Sequence, residues 1–225
     1  MVRKLSVFLL FIAIIGCKEA GEEKNQANDK KSSPPPAASR DAIKESFAKL
    51  QDAMSKKDVE KMVALVAPST YDIYERYRKL ALDSSGTDLN SLPILDTMTI
   101  IHLRGLLSRS ELEAMDGKDV FTRYVEQEGT WPGKLELGEI KVNGNTATAA
   151  PLTKDKHIPK ELLFNFELHD GTWKMDICKC MKSAEPFMEM ICRQMGATKT
   201  EFAIHTLEER LNKKVPPEIL KGPLR

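Results

Sequence analysis

Residues 162–177 decide the fold, and they read Leu-Leu-Phe-Asn-Phe-Glu-Leu-His-Asp-Gly-Thr-Trp-Lys-Met-Asp-Ile. At their centre, Asp170-Gly171 is a dipeptide that favours the two-residue type I′ turn between antiparallel strands. Apolar residues alternate with polar ones on both sides of this turn, as in a strand with one buried face. The segment therefore predicts a hairpin whose apolar side chains share one side of a sheet. The predicted register pairs Leu168 with Trp173, Phe166 with Met175, and Phe164 with Ile177.

A second hairpin is predicted before it, where Asn143-Gly144 separates two further strand-like segments. Leu135 and Leu137 have the opposite parity from Ile140, so a straight strand would turn them away from the core. A β-bulge at Gly138 or Glu139 would reconcile the two halves and bend the strand. Two hairpins predict an antiparallel sheet of at least four strands.

The chain on either side of this sheet has the 3.6-residue period of amphipathic helices. Asp58 and Ser69 stand where they could cap helices, and residues 86–93 have the glycine and polar content of a loop. Helices followed by an antiparallel sheet predict an α+β fold with a C-terminal helical extension. The predicted helices cover 40–56, 59–66, a third from 69 to 81, a fourth after 96, and then 110–113, 118–127, 184–195 and 200–212.

This order of elements resembles the nuclear transport factor 2-like superfamily, which includes ketosteroid-isomerase-like and SnoaL-like proteins. The resemblance lies in a long helix that breaks at Lys56-Lys57-Asp58 and in the hairpin that ends Leu168-His-Asp-Gly-Thr-Trp-Lys-Met-Asp176. It implies a cone-like domain over 40–180, with 181–225 packed on it as an extension. Members of that superfamily often stop soon after the sheet, so the extension is a departure from the family pattern.

The N-terminus has the layout of a secretory signal, with basic Arg3 and Lys4 before an apolar run. That run is too short to cross ~30 Å of hydrocarbon as a helix, so a signal is favoured over a membrane anchor. It ends in Ile14-Ile15-Gly16-Cys17, which resembles the lipobox of bacterial lipoproteins. The resemblance implies cleavage of residues 1–16, acylation of Cys17 by groups such as palmitate, and attachment of the mature protein to a lipid bilayer. Because residue 18 is Lys rather than Asp, the expected location is the outer membrane, facing the periplasm, if the host has two membranes.

Residues 17–39 are predicted to be a disordered tether, because they contain no aliphatic side chain larger than alanine after Cys17. The whole chain has 34 basic and 33 acidic residues. This balance gives no reason to expect a nucleic-acid partner. The oligomeric state is left open.

The buried face of the predicted sheet suggests a cavity for a small apolar ligand or a protein segment. No catalytic residue or cofactor is assigned, and the sequence favours a binding module over an enzyme. The alternative is an isomerase- or hydrolase-like site that combines Tyr71, Tyr74 or Tyr77 with Asp58 or Asp176. The candidate cavity residues are Tyr74, Tyr77, Phe164, Phe166, Trp173 and Met175.

Cysteine and methionine crowd into residues 175–195. In an oxidising compartment a disulfide between Cys192 and either Cys178 or Cys180 is expected to tie the extension to the sheet. Free thiols remain one alternative. A Cu(I) site is the other, because thiolates and thioethers are soft ligands. No metal ligand is assigned.

Overall fold

The computed structural model describes residues 36–127, 135–152 and 162–224. Within these ranges the chain forms ten α-helices, a four-stranded antiparallel sheet in the order β1-β2-β3-β4, and a short 3-10 helix, which confirms the predicted α+β class. The elements before the sheet are α1 Pro36–Lys56, α2 Val59–Ala64, α3 Pro68–Asp83, α4 Gly86–Ser91, α5 Ile94–Leu106, α6 Arg109–Ala114 and α7 Gly117–Gln127. The rest are β1 Glu136–Asn143, β2 Thr146–Leu152, β3 Phe164–His169, β4 Thr172–Asp176, α8 Ile177–Lys182, α9 Glu185–Gln194, α10 Lys199–Leu211 and the 3-10 helix Pro217–Leu220.

The β3–β4 hairpin has the predicted turn and register. Asp170 and Gly171 are its two central residues, with φ angles of 49° and 77°, and Leu168 pairs with Trp173 as Phe166 does with Met175. The predicted pairing of Phe164 with Ile177 is wrong, because β4 ends at Asp176 and Ile177 begins α8. The Asp176 carboxylate accepts a hydrogen bond from the Lys179 N–H and so caps that helix.

The β1–β2 hairpin contains the predicted bulge, since its register shifts between Leu137 and Ile140. Its turn lies one residue later than predicted. Asn143 pairs with Thr146, so Gly144 and Asn145 occupy the turn, and Gly144 has a φ of 57°. The Thr146 hydroxyl donates to the Asn143 carbonyl at 2.9 Å and supports this closure.

Helix α1 covers the buried face of the sheet. The Phe47 ring lies 4.9 Å from the Phe164 ring and 6.1 Å from the Phe166 ring, and the Ser46 hydroxyl donates to the Trp173 carbonyl. The helix begins at Pro36, a residue tolerated in the first helical turn, where its missing N–H would have had no helical partner. The predicted tether therefore extends four residues too far, since 36–39 are helical.

Several helix boundaries differ from prediction for local reasons. Helix α3 begins at Pro68, and Ser69 does not cap it, because the Ser69 hydroxyl donates to the Asp176 carboxylate at 3.1 Å. Residues 86–91 are helical, because Ser85 and Asp88 form a reciprocal capping box before them. Helix α2 ends two residues early. The two C-terminal helices of the extension match prediction to within one residue.

The segment after α2 lies along the free edge of β4. Val66 bridges to Met175 in parallel, with the Met175 N–H donating to the Leu65 carbonyl and the Ala67 N–H donating to the Met175 carbonyl, both at 2.9 Å. This edge of the sheet is therefore occupied by the chain itself.

The helical part of the hydrophobic core forms where α3, α5, α7 and α10 pack together. Gly117 allows α7 to approach α3 closely, because a Cβ at this position would lie 2.2 Å from the Tyr71 carbonyl oxygen. Gly105 does the same for α5 and α10, where a Cβ would lie 2.5 Å from a Leu207 methyl group. The C-terminal extension is thus part of the core.

Arg104 joins this core to the end of the chain. Its side chain is fully buried, and its guanidinium donates to the carbonyls of Ala81 at 2.8 Å, Leu80 at 3.2 Å and Ser84, which terminate α3. It also donates to the Ile219 carbonyl at 3.0 Å. Burial lowers the pKa of Arg104 to about 10, so the side chain remains charged at neutral pH.

Candidate functional site

The six predicted cavity residues are core side chains. Each is between 0% and 3% exposed. Phe164, Phe166, Trp173 and Met175 share the sheet face that α1 covers, whereas Tyr74 packs edge-on against Phe121 of α7. The structure therefore fills the space that the sequence assigned to a ligand.

A tyrosine and a carboxylate do meet, although the carboxylate is not one of the two predicted. The Tyr77 hydroxyl donates to Asp96 at 2.9 Å, and the Arg76 guanidinium contacts the other Asp96 oxygen at 2.6 Å. Asp96 is fully buried, and both of its oxygens are occupied. The arrangement links α3 to α5, with Tyr77 and Asp96 fully buried and the Arg76 side chain 37% exposed.

The other members of the predicted catalytic set also have structural partners. Asp58 caps α2 by accepting from the Lys61 N–H, and Asp176 caps α8. The Tyr71 hydroxyl donates to the Val63 carbonyl at 2.6 Å, and burial raises the pKa of Tyr71 to about 12. A phenol held in this way is a poor proton donor at neutral pH.

Cys178, Cys180 and Cys192 are buried thiols, and no disulfide joins any two of them. Cys178 and Cys180 lie on α8, while the Cys192 thiol donates to the Ala197 carbonyl at 3.3 Å. Burial raises the pKa of both the Cys180 and the Cys192 thiols, which favours the protonated form over the thiolate that binds soft metals. The described residues also contain no group of three His, Cys, Asp or Glu side chains placed to hold a metal ion.

The candidate site is a groove of about 520 Å³ between the C-terminal extension and the helical core. The second half of α9, the turn that follows it and the start of α10 form one wall, and the end of α4 with the start of α5 forms the other. Its apolar lining is Ile94, Cys192 and Ala197. A volume of this size falls within the ~300–1,000 Å³ range of small-molecule sites in proteins.

Polar groups surround this apolar lining. The Lys199 ammonium donates to the Leu92 carbonyl at 2.6 Å and lies 3.6 Å from the Glu189 carboxylate. Arg193 is exposed beside them, and Asn90 closes the opposite wall. We call this set of residues around 90–94 and 189–199 the α9–α10 groove.

Asn90 has a defined orientation in the groove. Its side-chain oxygen accepts from both the N–H and the hydroxyl of Thr200, each at 3.2 Å, at the first turn of α10. The amide is therefore oriented with its oxygen toward α10, and its NH₂ group is the donor that remains for other partners.

Glu185 holds the base of the same wall. Its carboxylate accepts hydrogen bonds from the Ile94 and Leu95 N–H groups, which are the first donors of α5. Burial nevertheless raises the pKa of Glu185 to about 7, with the two N–H groups opposing the rise and Asp96 and Glu189 adding to it. A carboxyl group with a pKa near neutrality therefore holds the start of α5, the helix that contributes Ile94 to the groove.

Sequence reasoning missed the α9–α10 groove. The composition of residues 86–93 predicts a loop, which gives Asn90 no defined place, and Asn90 meets Thr200 of α10 across 110 positions of chain. The structure also leaves Met190 and Met195 of the Cys/Met segment 41% and 47% exposed, and no pattern in the sequence indicated this exposure.

The chain matches no protein-family model, and no curated protein or solved structure matches it. The resemblance to the nuclear transport factor 2-like superfamily therefore stays a prediction. Cys17 and the rest of the predicted signal and tether up to residue 35 lie outside the described residues. In the part of the chain that the structure describes, no helix is both long enough and apolar enough to cross a membrane.

Proposed function

We propose that the protein is a lipid-anchored binding module of the bacterial cell envelope. Acylated Cys17 would attach it to the bilayer, and the residues after Cys17 would hold the folded domain away from the headgroups. In a host with two membranes the domain would face the periplasm from the outer membrane. The Ile14-Ile15-Gly16-Cys17 pattern supports the anchor.

The α9–α10 groove is the observation that carries the binding role. It combines an apolar lining with a few polar groups, as small-molecule sites do, and it lies outside the sheet face that α1 fills. We therefore move the expected ligand site from the sheet to the C-terminal extension. A small ligand suits the groove better than a long protein segment, because its volume of about 520 Å³ falls within the range of small-molecule sites.

The two alternative functions receive less support. An isomerase- or hydrolase-like site would need Tyr77 and Asp96 to reach a substrate, but both side chains are buried and bonded to each other. A Cu(I) site would need thiolates, and burial favours the protonated thiols.

Native mass spectrometry of the full chain, processed in a bacterium and extracted gently in detergent, tests the proposal. We expect a small molecule to co-purify with the wild-type protein. Ala197→Trp should expel it, because the indole would fill the groove, whereas Met195→Trp places the same side chain two residues away and should retain it. A bound molecule that survives Ala197→Trp, or no bound molecule at all, would count against the groove.

A further inference from the structure

We propose that the α9–α10 groove selects a small carboxylate that carries an apolar chain. This inference rests on the proposed binding role and adds the chemical class of the ligand. The apolar part would lie against Ile94, Cys192 and Ala197, and the carboxylate would lie at the polar rim.

The inventory of hydrogen-bonding groups at the rim favours an anion. Asn90 has committed its oxygen to Thr200 and has only its NH₂ donors left for a ligand. Arg193 supplies up to five further N–H donors and no acceptor, and no ion pair within the described residues engages it. These two side chains offer donors alone.

The single acidic side chain in the lining does not reverse this balance. Glu189 lies 3.6 Å from the Lys199 ammonium, so these two charges offset each other. With Arg193 included, the three charged side chains of the lining, Glu189, Arg193 and Lys199, sum to a net charge of +1. A carboxylate fits a guanidinium through two parallel hydrogen bonds, which a neutral amide of the same shape cannot reproduce.

The ligand is also expected to be amphipathic. Of the apolar lining, Ile94 is fully buried and Cys192 is only 5% exposed, so the apolar surface left open to a ligand is mainly that of the half-buried Ala197. A purely polar anion such as inorganic phosphate would leave this surface without contacts. A short hydrocarbon chain would remove it from water.

Isothermal titration of the detergent-solubilised full chain with octanoate and with octanamide tests this inference, since the two probes differ in charge and hardly in size. We expect octanoate to bind about tenfold more tightly, in line with one charge-assisted contact. Arg193→Gln should bring the affinity for octanoate down to that for octanamide and leave octanamide unchanged. Arg123→Gln, which removes another exposed arginine, one on α7 that pairs with Glu126, is the control and should change neither affinity.

Asn90→Asp is the second variant, and it separates binding from folding. The aspartate retains an oxygen for the α10 N–H groups, where a negative charge is favourable, but it replaces the NH₂ donor with a charge that repels a carboxylate. We expect unchanged or higher stability together with weaker octanoate binding. Unaltered octanoate binding in Asn90→Asp and Arg193→Gln would overturn the inference.

The outcomes distinguish this inference from the proposed function. If octanamide binds as tightly as octanoate and Ala197→Trp abolishes both, the groove is a binding site without a preference for carboxylates, and only the inference fails. If neither probe binds, or if Ala197→Trp affects neither, the groove is not the binding site and both fail.

Discussion

Replacing Glu185 by glutamine should change how the stability of the protein depends on pH. The Glu185 pKa rises from 4.5 to about 7 in the folded state, chiefly through burial. Between these values the unfolded chain has lost the proton while the folded protein retains it, so the free energy of unfolding falls as pH rises. A shift from 4.5 to about 7 corresponds to about 3 kcal/mol, and partial exposure of the side chain reduces this to roughly 2.

His102 acts in the opposite direction and must be separated from Glu185. Burial, with a smaller effect from Arg210, lowers the pKa of His102 to about 3. Stability from this group is complete above about pH 6.5 and is lost as the pH falls toward 3. Because both variant and wild type contain His102, the difference between their unfolding free energies isolates Glu185.

Urea unfolding between pH 4.5 and 8, followed through the buried Trp173, measures this difference. Glu185→Gln keeps an oxygen for the Ile94 and Leu95 N–H groups, so we expect the variant to gain roughly 2 kcal/mol on the wild type as the pH rises through this range. Glu113→Gln, at an ion pair whose acid is 56% exposed, should show no such trend. A difference that stays constant within about 0.5 kcal/mol, or that favours the wild type at high pH, would refute the assignment of the buried titrating group.

Three further changes have defined outcomes. Arg104→Met should lower the free energy of unfolding by about 3–5 kcal/mol, because it removes a buried donor from the carbonyls of Ala81, Ser84 and Ile219, while the Leu80 carbonyl keeps its hydrogen bond from the Ser84 N–H. Arg104→Lys should recover only part of that loss, and denaturation curves that overlay the wild type would contradict this. Gly117→Ala should lower the free energy of unfolding by about 1–3 kcal/mol, because the new methyl group would force α7 away from the Tyr71 carbonyl. Gly138→Ala, whose Cβ would meet nothing nearer than 3.3 Å, should lower it by less. The opposite order would show that α3 and α7 separate easily. Cys17→Ser should abolish incorporation of labelled palmitate and release the protein from the membrane fraction, and labelling that persists would rule out Cys17 as the acylated residue.

The sheet could be predicted because its signals are local. Period-two alternation around Asp170-Gly171 determined the turn, the register and the buried face together, and the parity change across Gly138 indicated the bulge. The sequence signals for the presence of each helix are also local, whereas the signals for its first residue are weaker. Helix α4 begins in a stretch rich in Ser and Gly, and this composition predicts a loop. The same stretch contains the Ser85–Asp88 capping box that starts the helix.

The α9–α10 groove and the contacts of Arg104 could not be predicted, because the residues that form them are distant in sequence or lack a residue signature. Asn90 meets Thr200 only after α4 and α10 have packed. Arg104 donates to backbone carbonyls, and because every residue has a carbonyl, the sequence does not identify which residues are its partners. For a related reason the sequence could not show that α1 covers the candidate cavity residues of the sheet, because an apolar face predicts burial but not whether a ligand or a helix buries it.

The position of Arg104 also has a consequence for biosynthesis. The guanidinium is made 115 residues before Ile219, the last of its four carbonyl partners, so its set of contacts stays incomplete until residue 219 has left the ribosome. A nascent chain whose core lacks these contacts remains incompletely folded for longer. A contact this late in the order of synthesis would therefore delay closure of the helical core until α10 and the 3-10 helix have been made.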